Sequence, residues 1–326
     1  MQRILITGGT GFVGSYLVRY LKSPDANLIV LSSGTRANPG ESGVEYCKVD
    51  IRNLDDVLAA FRAAQPDQVY HLAGVSSITR CWDNPRLAFD VNVLGSYNVF
   101  EAALRLPTQP KILNVSTAQI YARSSSALNE ASPLAPDNPY GATKAMAELL
   151  TVQYKKCANW GVITARAFNH TGPGQTPDFV LPSFAKQFAE MEAGLCAPVL
   201  RVGNIDVKRD FADVRDVVAA YCELLAKGTI GESYNVCSGR AILLADIVNL
   251  LQKNCNVAVK IEADSNRIRS NDIPEVVGNP QKIQMTTGWR PKIPLETTLR
   301  DLLDYWRAAV KRQSTEGPGA FTESLS

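Results

Sequence analysis

A tyrosine and a lysine four residues apart are the side chains of this sequence best suited to acid–base chemistry. Tyr140 and Lys144 lie in the segment NPYGATKA, near the start of a predicted helix. Residues at this spacing share one face of a helix. An ammonium group beside a phenol favours the phenolate, so the sequence predicts a lowered pKa for Tyr140 and proton exchange with a substrate oxygen near neutral pH. The alternative interpretation is an amphipathic helix with a half-buried tyrosine.

A hydroxyl group is expected to reach the same substrate oxygen. Thr117 lies in VSTAQIYA, directly after the apolar run Ile112–Val115, which reads as a buried strand. In open α/β sheets, ligands bind outside the carboxyl ends of the strands. The sequence therefore predicts that Thr117 hydrogen-bonds the substrate oxygen that Tyr140 protonates.

The glycine-rich segment TGGTGFVG, which begins at Thr7, predicts a dinucleotide site. Gly8 would form the tight turn, Gly11 would allow a pyrophosphate to approach the backbone, and Gly14 would allow the following helix to pack on the strand. The first amides of that helix, which includes Phe12 and Val13, would face the negative charge. A plain glycine turn is the alternative, but the strand before it and the helix after it favour a nucleotide.

The end of the second predicted strand bears on the choice of nucleotide. The stretch LIVLSSGTR carries Ser32, Ser33 and Arg36 but no carboxylate that could accept from a ribose 2′-hydroxyl. Hydroxyls and a guanidinium would hold a 2′-phosphate. We therefore expect NADP(H) to be favoured, with NAD(H) left open. A solvated loop is the alternative for Arg36.

Short apolar runs alternate with amphipathic segments through the first half of the chain. This alternation predicts an α/β fold, a Rossmann-like doubly wound parallel sheet with helices on both faces. The predicted strands are Arg3–Thr7, Leu28–Leu31, Gln68–Leu72, Lys111–Val115, Val162–Arg166 and one near Ser233–Val236, and the predicted helices are Phe12–Lys22, Leu54–Ala64, Pro85–Leu106, Tyr140–Asn159, Ser183–Ala193, Val214–Ala226 and Leu295 to about Lys311.

The texture changes after Gly172, where prolines and a glycine mark a loop. We expect residues 1–172 to form the NAD(P)-binding domain, with some later segments returning to it. Residues 173–312 would form mainly a smaller carboxyl-terminal α/β substrate-binding cap. Residues 313–326 are polar and predict a disordered tail.

Composition excludes several classes of protein. The net charge is +2 in 326 residues, and the basic residues are scattered, so we expect neither nucleic acid nor membrane as a partner. No apolar stretch approaches the ~20 residues of a membrane span, and the amino terminus does not resemble a signal peptide. The seven cysteines are odd in number and none forms a C-x-x-C pair, so reduced thiols, a cytoplasmic location and no metal site are expected.

Taken together, TGGTGFVG, the HLAG at His71, VSTAQIYA and PYGATKA resemble the extended short-chain dehydrogenase/reductase family over nearly the whole chain. The resemblance implies a Thr117–Tyr140–Lys144 triad, with Lys144 also holding the nicotinamide ribose. It further implies the remaining cofactor contacts, which are Asp50 and Ile51 beside the adenine, Leu72, Ala73 and Gly74 along the cofactor, and Asn92 as a structural asparagine.

The later motifs ARAFNHTGPGQ, DFVLPSFAKQ, VGNIDVKRDF and RIRSNDIPEVVGNPQKIQMTTGWRP resemble the branch of this family that acts on GDP-mannose derivatives. One departure is Ala167, where a proline is usual. The resemblance implies contacts with the sugar nucleotide from Asn169, Val180, Lys186, Arg209, Arg269 and Asp272. Cations suit a diphosphate, and arginine donates two parallel hydrogen bonds to it. Solvated surface is the alternative for each charge taken singly.

Within this branch we expect a reductase that converts GDP-4-dehydro-6-deoxy-D-mannose into GDP-D-rhamnose with NADPH, Tyr140 giving the proton. A GDP-mannose 4,6-dehydratase would need a carboxylate just after Thr117, and Gln119 cannot carry a proton in the same way. A nucleotide-sugar 4-epimerase also stays open, as does, in a different class, a non-catalytic dinucleotide sensor. Two long predicted helices, Pro85–Leu106 and Tyr140–Asn159, predict a homodimer by analogy.

Overall fold

The computed structural model describes residues 1–34, 41–158, 160–264 and 273–316. The sequence predictions for Arg36, Arg269 and Asp272 lie outside these ranges, as does most of the predicted tail.

Strands and helices alternate along the described chain. The strands are β1 (Gln2–Thr7), β2 (Ala26–Ser32), β3 (Val44–Lys48), β4 (Gln68–His71), β5 (Lys111–Thr117), β6 (Val162–Ala167), β7 (Asn169–Thr171), β8 (Val199–Val202), β9 (Lys208–Asp213), β10 (Ser233–Val236), β11 (Ala241–Leu243), β12 (Lys260–Ala263) and β13 (Glu275–Val276). The α-helices are α1 (Phe12–Leu21), α2 (Leu54–Ala64), α3 (Ile78–Asp83), α4 (Pro85–Phe89), α5 (Gly95–Leu104), α6 (Pro139–Ala158), α7 (Val180–Glu192), α8 (Val214–Lys227), α9 (Leu244–Lys253), α10 (Gln281–Thr287) and α11 (Leu295–Glu316).

Seven strands form one parallel sheet in the order β3-β2-β1-β4-β5-β6-β10. The order reverses between β1 and β4, which is where a doubly wound sheet opens a crevice for a ligand. One face packs on α1 and α8, and the other packs on α2, α5 and α6. The predicted Rossmann-like fold is confirmed. Buried strands with apolar residues on both faces explain why the sequence shows continuous Ile, Val and Leu runs.

A second apolar core lies in the carboxyl-terminal half. Helices α7, α9 and α11 pack together around Trp306, which is 1% exposed. Two smaller sheets lie in this half: β11, β9 and β13 with β7 beside β9, and the pair β8–β12. The chain also returns to the large sheet through β10, and α8 and α10 pack on that sheet.

Three differences from the sequence predictions have physical reasons. Strand β3 was not predicted, because it is a half-exposed edge strand with a mixed burial pattern. The helix predicted over Pro85–Leu106 is interrupted by a π-helical turn at Asp90–Leu94, a feature often found at functional sites. The last helix continues to Glu316, beyond the predicted end near Lys311, so the tail was predicted to begin too early; Gly317 and Pro318 are the first helix breakers.

Across the described ranges, no helix combines the length and apolar character needed to span a bilayer. The same residues contain no grouping of His, Cys, Asp or Glu side chains arranged to hold a metal ion.

Candidate active site

The turn after β1 has the close backbone packing that its glycines predict. Gly8 has φ +72°, in the left-handed region that favours glycine, and a Cβ there would lie 2.8 Å from the Cα of Ala73. A Cβ on Gly14 would lie 2.3 Å from the Gly8 carbonyl oxygen. The turn therefore packs directly on the segment after β4, and the start of α1 packs on the turn. A side chain at Gly8 would push the first pair apart, and one at Gly14 would push the second pair apart.

The amino terminus of α1 faces this turn with its amides uncapped. Gly11 is the N-cap residue, no side chain caps the helix, and its first turn carries no acidic residue. Such a terminus favours an anion, since free amides and the helix dipole both point toward it. Phe12 stacks on the His170 ring, with centroids 6.4 Å apart and planes 5° from parallel, while Val13 packs on the core.

The neighbouring strand ends supply the other predicted cofactor positions. The Ser32 hydroxyl lies 3.0 Å from the Thr10 hydroxyl, which places the end of β2 beside the glycine turn. The Asp50 carboxylate accepts hydrogen bonds from Arg52, which lower the pKa of the carboxyl. Ile51 is buried, and a Cβ on Gly95 would lie 2.5 Å from its Cδ1.

Tyr140, Lys144 and Thr117 come together at the carboxyl end of β5. Asn138 caps α6 by accepting from the Gly141 amide at 2.9 Å, which fixes where Tyr140 enters the helix. The Thr117 side chain lies close enough to the Tyr140 phenol to lower its pKa through hydrogen bonding. Lys144 is 5% exposed, and its Nζ donates to the Val115 carbonyl at 2.8 Å.

The pKa values at this site differ from the sequence prediction. Burial raises the pKa of Tyr140 to about 12, and the hydrogen bond from Thr117 offsets only part of that rise. The prediction that Lys144 lowers this pKa is therefore wrong: the pKa of the phenol is raised, and Lys144 is not among the causes of the shift. Burial also lowers the pKa of Lys144 to about 8. The phenol thus holds its proton at neutral pH, as a proton donor requires.

The segment after β4 lies between the glycine turn and α6. A Cβ on Gly74 would lie 2.9 Å from Asn92 Oδ1 and 3.3 Å from Lys144 Nζ, so both polar groups converge on this glycine. Asn92 also binds both sides of the Val75 peptide: Oδ1 accepts from its amide at 2.8 Å, and Nδ2 donates to its carbonyl at 3.1 Å. Leu72 and Ala73 precede Gly74 in the same stretch.

Sequence reasoning missed three residues near these groups. Cys81 is fully buried on α3 and raises the pKa values of both Tyr140 and Lys144 electrostatically. Thr143 binds the Tyr140 carbonyl oxygen at 2.9 Å, and Asn138 donates to Gln119 Oε1 at 3.2 Å. No pattern marks Cys81, whereas the cap of α6 was recognisable from an asparagine just before the helix.

The described residues that were predicted to bind sugar nucleotide lie on β7, α7 and β9, and protein groups contact the polar ends of three of them. Asn169 donates to the Asp210 carbonyl at 3.1 Å, and Arg209 donates to the carbonyls of Lys208 at 2.8 Å and Ile273 at 2.7 Å. Lys186 Nζ lies 3.5 Å from the Glu190 carboxylate and 5.9 Å from the centre of the Trp306 ring. Val180 is the first residue of α7 and is 37% exposed.

Comparison with known proteins identifies the family of the chain. The family model described as GDP-mannose 4,6 dehydratase matches residues 5–302. A GDP-6-deoxy-D-mannose reductase of Pseudomonas aeruginosa is 35% identical over 315 residues, which cover 96% of this chain and 99% of the relative.

Solved structures resemble the whole chain. The structure of RMD from Pseudomonas aeruginosa complexed with NADPH has a TM-score of 0.84 and 33% identity, covering 95% of this chain and 100% of the other. A UDP-glucose 4-epimerase of Thermus thermophilus in complex with NAD has a TM-score of 0.83 and 28% identity, covering 94% and 100%. The family model spans most of the described structure, and the chain therefore belongs to the GDP-mannose 4,6-dehydratase family.

Proposed function

We propose that the protein reduces the 4-keto group of GDP-4-dehydro-6-deoxy-D-mannose to give GDP-D-rhamnose, with NADPH as the reductant. The observation that carries this proposal is the chemistry around Tyr140. Its phenol carries its proton and is influenced by the Thr117 hydroxyl, and among the described residues no carboxylate is a cause of the pKa shift of Tyr140 or of Lys144. The similarity to a GDP-6-deoxy-D-mannose reductase supports the same substrate.

A dehydratase is disfavoured by the same surroundings. Elimination of water from the sugar needs a second acid–base group, which the resemblance assigns to a carboxylate after the threonine. Gln119 stands there, and its amide oxygen accepts from Asn138. A carboxamide cannot exchange protons near neutral pH, so this position can hold Asn138 but cannot deprotonate a sugar carbon.

The chain fits a dinucleotide at the glycine turn. We propose that the uncapped start of α1, between Gly11 and Gly14, holds the pyrophosphate, that Asp50 and Ile51 flank the adenine, and that Lys144 holds the nicotinamide ribose. When bound, NADPH supplies the hydride that is added to C4 of the sugar. The closeness of Gly14 to the Gly8 carbonyl supports this proposal, because it packs the start of α1 tightly against the turn, as the dinucleotide-binding glycine pattern requires.

The protein's own groups then manage the charge that develops on the sugar oxygen. Tyr140 donates its proton to the C4 alkoxide, and Thr117 hydrogen-bonds the same oxygen. The Lys144 ammonium stabilises the tyrosinate left behind, since the opposite charge favours the ionised phenol. A phenol with a raised pKa is suited to this direction of reaction, because it carries its proton before the substrate arrives.

For the sugar nucleotide we propose contacts from Asn169, Val180, Lys186 and Arg209, together with Arg269 and Asp272 outside the described ranges. Residues 1–172 would bind the dinucleotide, and residues 173–312 would contribute mainly the sugar-nucleotide side. A guanidinium suits a diphosphate because its planar fork donates two hydrogen bonds at once. Arg209 would shift or share its hydrogen bonds to two carbonyl groups to do so.

One assay tests the function. Purified protein is supplied with NADPH and either GDP-mannose or GDP-4-dehydro-6-deoxy-D-mannose, and the absorbance of NADPH and the sugar products are followed. NADPH oxidation with the keto sugar alone, with GDP-D-rhamnose as product, is expected. Water elimination from GDP-mannose would indicate a dehydratase, and C4 inversion without net NADPH oxidation would indicate an epimerase. No reaction with either sugar would favour the non-catalytic dinucleotide sensor.

We further propose a preference for NADPH over NADH. Ser32 at the end of β2 offers a hydroxyl, and no carboxylate occurs from Leu28 to Gly34 at this end of the strand. An NADPH complex is known for one structural neighbour and an NAD complex for another, so the nucleotide differs within this fold. Equal kcat/KM for NADPH and NADH would remove the preference.

A homodimer is proposed from exposed apolar side chains on the helices nearest the catalytic site. Met146, Leu149 and Val152 lie three residues apart on α6 and are 44%, 64% and 45% exposed, and Phe89 and Leu94 are 38% and 41% exposed on and just after α4. We propose that a second copy of the chain covers this face. Sedimentation should give a dimer that Leu149→Asp converts to a monomer, and a monomeric parent protein would contradict the proposal.

A cytoplasmic location is proposed from the six described cysteines, all of which are free thiols.

A further inference from the structure

A chain of hydrogen bonds runs from the segment that supports the glycine turn into the core of the sheet. The Ala73 amide donates to Thr7 Oγ1 at 3.2 Å, and Thr7 Oγ1 lies 2.7 Å from His71 Nδ1. On the other side of the ring, His71 Nε2 lies 2.9 Å from Ser96 Oγ. Thr7, His71 and Ser96 are each at most 1% exposed. The imidazole therefore joins β1, β4 and α5 without contact with solvent.

The same chain continues to the catalytic helix. The Ser96 hydroxyl donates to the Asn92 carbonyl at 2.6 Å, and the Asn92 carboxamide donates to Thr143 Oγ1 at 3.0 Å. Thr143 in turn donates to the Tyr140 carbonyl at 2.9 Å. Every step from Ala73 to Tyr140 is thus a contact of hydrogen-bond length between buried or half-buried groups.

The protonation of the imidazole follows from its neighbours. Ser96 has one hydroxyl proton and gives it to the Asn92 carbonyl, so it can only accept from His71. His71 Nε2 must then carry the proton, and Nδ1 accepts from the Thr7 hydroxyl. Burial and the nearby Lys144 ammonium lower the pKa of His71 to about 3, which keeps the ring in this neutral form.

Buried polar groups are normally hydrogen-bonded, so satisfaction of His71 alone would mean little. This series of hydrogen bonds differs from ordinary buried hydrogen bonding because its two ends lie at the glycine turn and at the start of α6. Gly8 packs on the Ala73 backbone, and Gly74 meets both Asn92 Oδ1 and Lys144 Nζ. A displaced imidazole would therefore move the floor of the dinucleotide site and the start of α6 together.

We infer that His71 is a positioning residue that fixes the glycine turn relative to Tyr140 and Lys144. It touches no reacting atom and acts through Thr7 on one side and through Ser96 and Asn92 on the other. The inference rests on the proposed function for its turnover measurements, whereas its binding measurements need only the dinucleotide.

Three variants of the full chain test the inference. His71→Leu removes both hydrogen bonds, and His71→Gln restores one acceptor and one donor on a neutral side chain. Phe100→Leu is the matched control, because this buried ring meets the edge of His71 at 5.9 Å and makes no hydrogen bond in the chain. For each variant we would measure the melting temperature, the Kd of NADPH by fluorescence, and kcat and KM for the keto sugar.

We expect His71→Leu to raise the Kd of NADPH and to lower kcat, each about tenfold, the effect of one good hydrogen bond. Phe100→Leu should lower the melting temperature but leave both values within about twofold. His71→Gln should recover most of the loss. If His71→Leu changed only the melting temperature, or if Phe100→Leu matched it in Kd and kcat, the positioning role would be refuted.

A second arm covers the case in which His71→Leu does not fold. Thr7→Val and Thr143→Val each remove a hydroxyl at one end of the series of hydrogen bonds, and each changes the side-chain volume little. Members of one network show strongly non-additive effects, so the double variant should bind NADPH and turn over about as well as the worse single variant. Additive losses would overturn the inference. If the parent protein bound NADPH but did not reduce the keto sugar, the proposed function would fail, while the NADPH Kd values would still decide the role of His71.

Discussion

The dinucleotide half and the cap use their polar side chains in different ways. Around the glycine turn, buried groups converge: Lys144 is 5% exposed, and its Nζ and Asn92 Oδ1 meet at Gly74. In the cap, the cations Lys186 and Arg209 contact a carboxylate, an aromatic ring and backbone carbonyls. The proposed chemistry would therefore be preorganised in the first region, whereas the second would have to exchange protein contacts for the proposed substrate.

The buried carboxylates Glu148 and Asp210 stabilise the structure and do not take part in the proposed acid–base chemistry. Glu148 binds Arg166, Ser116 and Ser233 beneath α6, and Asp210 accepts four hydrogen bonds, from the amide and hydroxyl of Ser238 and the amides of Gly239 and Gly278. Both groups hold the structure together. Neither is among the groups that shift the pKa of Tyr140 or Lys144, so the acid–base chemistry is left to the phenol and the ammonium.

The largest effect is expected from Tyr140→Phe, which removes the proton donor and keeps the ring. We expect kcat to fall by about 10²- to 10⁴-fold, as for other general acids, because Tyr140 is the proposed donor of the proton to the sugar oxygen. The Kd of NADPH should stay within about threefold, since the proposed phosphate contacts come from the turn. Stopped-flow reduction and fluorescence titration would measure the two values. Turnover within tenfold of the parent would contradict the assignment of Tyr140.

A pH effect should follow from Lys144. Its pKa is lowered to about 8, so the ammonium is present below pH 8 and is lost as the pH rises through that value. Without the ammonium the tyrosinate is less stable, so kcat/KM for NADPH, which reports the free enzyme, should fall about tenfold per pH unit above the break. Lys144→Arg is the control, because a guanidinium stays charged and should abolish the break. A parent profile that is flat to pH 9.5 would contradict this account.

The dinucleotide half was predictable because backbone geometry restricts residue choice there. Only glycine tolerates φ +72° beside the Ala73 backbone, so the glycine at position 8 indicates the tight turn from sequence alone. The spacing of Tyr140 and Lys144 likewise follows from helical periodicity. The pKa of Tyr140 was predicted in the wrong direction, because spacing shows which groups are near but does not show how deeply they are buried.

The cap was harder to predict because its side chains have several possible partners that sequence does not rank. Lys186 could face a phosphate or its neighbour Glu190 one helical turn later, and the fold pairs it with Glu190. The network of His71, Ser96 and Asn92 could not be predicted either, since its members come from different elements and depend on a π-helical turn that interrupts a uniform helical pattern.

A smaller effect is expected from Arg209→Ala, which tests whether a cap cation serves substrate as well as structure. Loss of a phosphate contact should raise KM for the keto sugar about tenfold, with kcat and the NADPH Kd little changed, because uniform binding is removed. Lys186→Ala provides a comparison on α7. If Arg209→Ala lowered the melting temperature and left KM unchanged, the guanidinium would serve only to bind the carbonyls of Lys208 and Ile273.

The smallest effect is expected from Asn114, a buried polar residue in the middle of the large sheet. A row of five adjacent residues crosses the sheet in register on the face covered by α5 and α6; they are Thr7, His71, Asn114, Thr164 and Ser233. Asn114 is 1% exposed, and within the described residues neither its Oδ1 nor its Nδ2 has a hydrogen-bond partner. An unpaired buried polar group costs about 1–3 kcal/mol of stability.

Asn114→Leu should therefore stabilise the protein, because leucine has the same branching and number of heavy atoms and no polar group to satisfy. The gain should be about 1–3 kcal/mol, which denaturant unfolding would measure as a higher midpoint with the same slope. Ser116→Ala is the matched control on the same strand and face: its hydroxyl donates to Glu148 at 3.2 Å, so its loss should destabilise. A destabilised Asn114→Leu protein would contradict this prediction, because it would mean that the amide stabilises the folded sheet despite having no hydrogen-bond partner among the described residues.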